Sequence, residues 1–428
     1  MGVVLGMAGG FLVLLALAVP VGLAIGIAAL GALYAMGIDW QVVPGRLYNG
    51  VDSFTLLAVP MYIVAGGLMV KIGIADKLVN FALAIVGHRR GGLGNTAVLS
   101  AVMFSGISGS TSAATAALGS ILIPSLAKRG YSREQATAML SGAGAASILV
   151  PPSMSMIVFG GLTGTSVSAL FAAGFLPALI ISFVVMLQVR WHAIRTNVAV
   201  LERAPWRERG RALVEGVPCL VLPLIVFGGI FSGTFTATEA GVVAVLYALA
   251  LGLFFYRSLS IASLIEVLQS TVVIVGVVVL LMTTSSIFSW IMTVNQVPRL
   301  LVNAMGTIEM TQFLFLFLII AIFVLLGMIM DELAIMIMIV PIAMPLALAL
   351  EINPIHFGII IVGCIGIGLF SPPVASALLV ACSVGRVKME NVAWPLAPYL
   401  LVIFAMIVIL ASVPEVPLFL PRALGLAN

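Results

Sequence analysis

Two stretches of the 428-residue chain concentrate groups able to bind ions. The first is Ser108-Gly109-Ser110-Thr111-Ser112, followed downstream by Pro151-Pro152. The second runs from Gly327 to Asp331 and Glu332, followed by Pro372-Pro373. The proline pairs are 221 positions apart, and the same offset relates Gly106 to Gly327, Ala113 to Ala334, Pro124 to Pro345, Gly142 to Gly363, Ser155 to Ser376 and Pro177 to Pro398. A proline pair removes two backbone donors and disfavours helix just before it, which frees carbonyls near Ala146 to Val150. Carbonyl and hydroxyl oxygens suit a hard singly charged cation such as sodium, and the N-terminal ends of half-helices suit an anion. An intramembrane carboxylate such as Asp331 is costly and points to function. The plainer alternatives are a carboxylate paired within the bundle or capping the next helix, and close helix packing by the small residues of the serine tip. Repetition of the tip together with the Pro-Pro break favours function.

These groups need apolar elements to hold them at membrane depth. Hydrophobic residues make up 62% of the chain and charged residues 8%, with a mean hydropathy of +1.28. Lipid must therefore be the solvent, and helices are the spanning element that the pattern allows. The expected fold is an all-α polytopic membrane protein built as an inverted repeat. The first repeat, 1–189, holds scaffold helices within 1–70, an interfacial helix at 74–86, a hairpin at 91–126, a broken helix at 135–165 and a helix at 168–190. A basic linker, 190–211, precedes the second repeat at 212–428. That repeat holds scaffold helices at 213–256, a helix at 271–293, an interfacial helix at 297–309, a hairpin at 311–350, a broken helix at 356–384 and a helix at 393–412.

Each hairpin stretch could instead be two full spans. The arms are short and the turns polar, and such backbone is tolerated only inside protein, so a re-entrant hairpin is expected. Charge fixes the sides. This count places 16 of the 19 lysines and arginines in the cytoplasm, leaving Arg46, Arg299 and Arg422 outside. The first hairpin then opens from the cytoplasm and the second from the opposite face. Parity leaves open whether 2–37 is one helix or two. The repeat favours two, split at Pro20, which puts the N-terminus outside. Met1 to Ala18 lacks the basic start of a cleavable signal.

The net charge of +4 reads as membrane orientation, not as a nucleic-acid footprint. Cys219, Cys364 and Cys382 read as small core residues. His88, His192 and His356 lie far apart, so no transition-metal site is expected. There is no Gly-rich phosphate loop and no nucleophile–base pair, so neither an ATPase nor another enzyme is expected. Thr238 is expected to cap the helix that follows it, with Glu239 complementing its dipole.

At these residues the chain resembles the large membrane (M) subunit of tripartite ATP-independent periplasmic (TRAP) transporters, the dicarboxylate/sialic-acid M-subunit family. The likeness is carried by Leu56 to Pro60 with Ala65-Gly66-Gly67, Ser108-Gly109-Ser110, Gly119 to Pro124, Lys128 to Tyr131 and Pro151-Pro152-Ser153. In the second half it is carried by Phe235 to Ala240, Gly327 with Asp331, Asn353 to Gly358 and Pro372-Pro373-Val374. The resemblance implies a sodium-driven elevator of the ion-transporter-superfamily kind, importing a carboxylate across the bacterial inner membrane. It implies a four-helix Q subunit, a soluble periplasmic P subunit and no cofactor beyond coupling sodium. No Q-like region precedes Met1, so a separate Q chain is expected.

Ser371 stands where threonine is common and Ala375 where glycine is common. Expected sodium ligands are Ser108, Gly109, Ser110, Ser147 and Val150, with Gly327, Gly366, Gly368 and Ser371. Expected substrate contacts are Ser110, Thr111, Pro151, Ser153, Asp331, Pro372 and Val374. Gly22, Gly26, Gly31 and Gly241 are expected at the sliding interface. The competing readings are a stand-alone sodium–carboxylate carrier needing no binding protein, an intramembrane enzyme and a channel.

Overall fold

The computed structural model describes residues 2–196, 203, 205–307 and 309–427. The chain begins with α1 (Gly2–Ala16) and α2 (Val21–Ala35), which are separate helices split at Pro20. Next come the short α3 (Val42–Asn49), a 3-10 turn over Phe54–Leu57, and α4 (Ala58–Lys71). Gly73 turns the chain at φ +76 into α5 (Ile74–Val86). The first hairpin is α6 (Gly92–Ser108) and α7 (Thr111–Ala127), turning at Gly109 with φ +62, a conformation that glycine takes without steric cost. The first broken helix is α8 (Arg133–Ser147) and α9 (Met154–Thr163), followed by α10 (Val167–Arg195).

The second half repeats the order. It runs α11 (Trp206–Phe231), α12 (Ala237–Ala250) with a π-helical continuation at Leu251–Phe255, α13 (Ile261–Val294) and α14 (Val297–Thr307). The second hairpin is α15 (Gln312–Gly327) and α16 (Glu332–Ala349). The second broken helix is α17 (Pro354–Gly368) and α18 (Ser376–Gly385), and α19 (Met389–Ser412) and α20 (Glu415–Ala423) close the chain. Asn353 caps α17 through Ile355 N and His356 N, and Pro354 occupies the first turn, where its missing donor costs nothing.

Packing follows the repeat reciprocally. The helix α2 packs on α13, and its counterpart α12 packs on α4; α4 and α13 cross each other. These elements, with α1 and α11, form an outer frame. Inside it α6 packs on α8 as α15 packs on α17, and α7 packs on α18 as α16 packs on α9. Each hairpin thus packs its first arm against its own broken helix and its second arm against the broken helix of the other repeat, with α7 also packing on α8. His356 fixes the inner body further, its Nε2 lying 2.9 Å from the Leu410 carbonyl.

Several expectations need correction. The second-half helix expected at 271–293 starts ten residues earlier, at Ile261, because Ser260 caps it and Glu266 pairs with Lys71. Helix α10 runs on to Arg195 and α11 begins at Trp206, so the expected linker 190–211 shrinks from both ends, and its residues 197–202 and 204 lie outside the described residues. Position 308 of the expected helix at 297–309 also lies outside them. The short helices α3 and α20 were not expected.

The cap of α12 is Thr236, not Thr238. Thr236 Oγ accepts from Glu239 N at 3.2 Å while the Glu239 carboxylate accepts from Thr236 N at 2.8 Å, and Thr238 instead donates to the Phe54 carbonyl. A capping box needs a three-residue spacing, which Thr236 has and Thr238 lacks. The glycines are also reassigned. Gly22 and Gly26 face Leu280 and Thr284 of α13, and Gly241 faces Met61 of α4, so they pack frame helix on frame helix, while a side chain at Gly31 would meet nothing within 4 Å. Frame and inner body approach at Gly66, where an added Cβ would lie 2.6 Å from the Ser108 carbonyl oxygen.

Candidate functional site

Both hairpin tips open into one cavity of about 320 Å³ between frame and inner body. Its inner wall is Ser108, Ser110, Ser112 and Ala113 from the first tip, Met154 after the first break, and Asp331, Glu332 and Leu333 from the second tip. Its outer wall is Ile63, Gly66, Gly67, Val70 and Lys71 of α4 with Glu266, Val267, Ser270, Thr271 and Ile274 of α13. Lys71 Nζ lies 2.7 Å from the Glu266 carboxylate, so the cavity's only lysine or arginine among the described residues is tied to one of its acids. Such a half-exposed pair contributes about 0–1 kcal/mol and exchanges partners readily.

The tips are built alike. Ser110 caps α7, accepting from Ala113 N at 3.4 Å, and Asp331 caps α16, accepting from Leu333 N at 3.3 Å. Both helix N-termini, with their partial positive charge, therefore reach the cavity. Next to Asp331, Glu332 accepts a 3.0 Å hydrogen bond from the Ser155 hydroxyl at the start of α9. That bond ties the second tip to the first broken helix.

Behind each tip the hairpin crosses a break. In the first crossing the Ser105 hydroxyl donates to the Ser147 carbonyl at 2.8 Å, and Val150 N donates to the same carbonyl at 3.0 Å. Gly106 and Gly109 give room here: added Cβ atoms would lie 3.3 Å from the Pro151 carbonyl and 3.4 Å from the Pro152 carbonyl. In the second crossing Gly327 and Gly368 touch through their backbones, an added Cβ on Gly327 lying 2.8 Å from Gly368 Cα. Val374 N and Ala375 N both donate to the Met328 carbonyl, at 3.1 and 3.0 Å. Both Pro-Pro bonds are cis.

The structure thus sorts the expected site residues into three places. Ser108, Ser110 and Asp331 line the cavity, with Gly109 forming the turn between the two serines. Ser147, Val150, Pro151 and the buried Ser153 belong to the first crossing. Gly327, Gly368, Ser371, Pro372 and Val374 belong to the second, where Ser371 Oγ bonds back to the Ile367 carbonyl at 2.7 Å. Gly366 sits where α17 meets α8, 2.9 Å from the Ala145 carbonyl at its added Cβ. Thr111 is buried in the first turn of α7 and does not line the cavity.

Ala375, where the resemblance leads one to look for glycine, holds φ +43, a conformation that a Cβ opposes. Ser112 and Glu332, singled out from the sequence as groups of the two tips but not among the expected ligands, also line the cavity, while sequence reasoning missed Ser155, Lys71, Glu266, Ser270 and Thr271 as parts of the site. Glu332 carried a signal, as a second acid in an apolar region, but its serine partner lies 177 positions away.

Among the described residues, seven helices are long and apolar enough to cross a membrane. Among solved structures the chain resembles the Alcanivorax borkumensis YdaH transporter, whose crystal structure has an unusual topology, with a TM-score of 0.58 and 16% identity over 89% of this chain and 88% of that one. This likeness concerns the fold alone. The sialic acid TRAP transporter large permease protein of Vibrio cholerae is 34% identical over 96% of this chain and 97% of its own length. The 2,3-diketo-L-gulonate TRAP transporter large permease protein of Escherichia coli is 32% identical over 92% and 95%. The family described as tripartite ATP-independent periplasmic transporter, DctM component, matches residues 8–416. The chain belongs to this family, as the large inner-membrane permease component of such a transporter.

Proposed function

We propose that the chain imports an organic acid by sodium-coupled, binding-protein-dependent transport, the inner body moving as an elevator within the frame. The observation that carries the reading is the shared cavity, in which tips from both repeats meet a wall of the frame. A site between two bodies built from different helices is where a sliding motion would transfer a ligand from one face to the other.

The carboxylate faces the N-terminus of α7 and the hydroxyls of Ser110 and Ser112, where dipole and donors favour an anion. Asp331 faces the substrate's hydroxyl groups. The permease relatives described above carry sialic acid and 2,3-diketo-L-gulonate in their names, both acids bearing several oxygens. Sodium is carried as a co-substrate, held by the hydroxyls of Ser108 and Ser110 at the first tip and by Ser147, Ser371 and the broken backbone at the two crossings. A small Q subunit covers exposed apolar surface of the frame, and a periplasmic P subunit delivers substrate.

Proteoliposomes holding the chain with its Q subunit, supplied with loaded P subunit, test this. Uptake is expected with sodium outside and not with potassium, and only when P is present. Equal uptake with either ion removes the sodium claim, and uptake without P favours the stand-alone carrier.

A further inference from the structure

A second cavity, of about 560 Å³, lies at the opposite end of the frame from Lys71 and Glu266. It is bounded by α3 and α13, by the end of α9 at Gly161 and Leu162, and by the middle of α16 at Pro341. Among the described residues one guanidinium lines it. Arg46 of α3 is half-buried and lies 4.8 Å from the ring centre of Trp290 on α13, which orients it by cation–π attraction. Among the described residues no carboxylate pairs with Arg46, although Asp52 lines the same cavity.

On α13 beside Trp290, Ser286 and Ser289 line the cavity one helical turn apart, and the buried Ser285 Oγ has no hydrogen-bond partner among the described residues. Helix α13 is long and apolar enough to cross a membrane, and the lipid itself has no use for hydroxyls that face into a cavity there. Gly50 brings α3 down onto that row: an added Cβ would lie 2.8 Å from both the Met282 carbonyl and the Ser286 Cβ. A cavity of this size with a few convergent polar groups is of the kind that binds small ligands.

We propose that this cavity is an anion-receiving vestibule, which holds a hydroxy acid by its carboxylate on Arg46 and by its hydroxyls on Ser286 and Ser289. The proposal rests on the organic-acid reading for its physiological ligand. The site itself stands on the unpaired guanidinium and the hydroxyl row.

The test uses the full chain in phosphatidylcholine nanodiscs, with Cys219, Cys364 and Cys382 replaced by alanine and Ser289→Cys introduced. Labelling by a sulfonate-bearing thiosulfonate is expected to be about tenfold faster than by its trimethylammonium analogue. Arg46→Lys should keep that preference and Arg46→Gln should remove it. D-Gluconate should slow the labelling, and D-glucose should not. An anion preference unchanged in Arg46→Gln, a cation preference imposed by Asp52, or no protection by gluconate overturns the proposal. Labelling blocked only when phosphatidylglycerol is added would make this a lipid-headgroup site and also overturn it. The readout is access and charge, so failure of sodium-driven uptake leaves it standing, and its own failure leaves uptake untouched.

Discussion

At equivalent positions of the two repeats, Ser110 caps the second arm of the first hairpin and Asp331 caps the second arm of the second. The following residues are Thr111 and Glu332. One backbone device, a helix N-terminus aimed into the shared cavity, thus carries hydroxyls on one side and two acids on the other. An N-terminus capped by a neutral hydroxyl keeps its positive end available to an anion, and one capped by a carboxylate does not. The repeat therefore fixes where the tips meet, and side-chain charge sets what each tip could attract.

The sharpest way to break this comparison is to exchange the charges. Serine and aspartate are both good caps, so Ser110→Asp with Asp331→Ser should leave both helices intact. Transport should fall by about a hundredfold, the worth of a lost hydrogen bond to a charged group at the upper end of its range. Thermal stability should stay close to that of the parent protein. Transport near the parent rate would mean the tips are interchangeable and the asymmetry has no functional weight.

The tips also differ in what lies behind them. The first touches the frame through backbone, Ser108 against Gly66, whereas the second tip's glycine, Gly327, touches its own broken helix at Gly368. Gly66→Ala should therefore act on the first tip alone. Its Cβ would lie 2.6 Å from a carbonyl oxygen that cannot rotate away. A loss of about 1–3 kcal/mol in stability is expected, with transport down by about tenfold. Gly67→Ala is the control, because its Cβ meets only the Val267 side chain and should cost less. Equal losses from the two variants would show that the tip is not seated on Gly66.

Much of this arrangement was legible from residue order. The hairpin turn at Gly109 and the breaks at Pro151-Pro152 and Pro372-Pro373 are set by backbone constraints local to those residues, and the helix ends fall beside them. The offset between repeats was legible for the same reason. What could not be read is which side chain meets which. Lys71 with Glu266, and Ser155 with Glu332, join residues far apart in sequence, and no periodicity announces such pairs. Gly22, Gly26 and Gly241 show the same limit: a small-residue stripe says that something packs closely, without saying what. The short helices α3 and α20 escaped because they are too short and too polar to stand out among apolar spans.

The smallest expected effect compares two serines. Ser155 and Ser376 are repeat counterparts, each in the first turns of the helix that follows a Pro-Pro break. Ser155 donates to Glu332, whereas the buried Ser376 Oγ has no hydrogen-bond partner among the described residues. The position across from Ser376 by the repeat is Thr111, which carries no acid to accept its proton. Ser155→Ala should thus strip a half-buried carboxylate of its only side-chain donor among the described residues, at a cost of about 1–3 kcal/mol. Ser376→Ala removes a hydroxyl that makes nothing, and deleting an unsatisfied buried polar group is neutral or stabilising. Thermal unfolding of the two variants should therefore differ in sign or nearly so, with Ser376→Ala within about 0.5 kcal/mol of the parent. Adding Glu332→Gln to each variant checks the origin of the difference, because the glutamine should interact non-additively with Ser155→Ala and additively with Ser376→Ala. Matching losses from the two serines would mean that both repeats hold a bonded hydroxyl here, and that the charge asymmetry of the tips does not extend to the helices behind them.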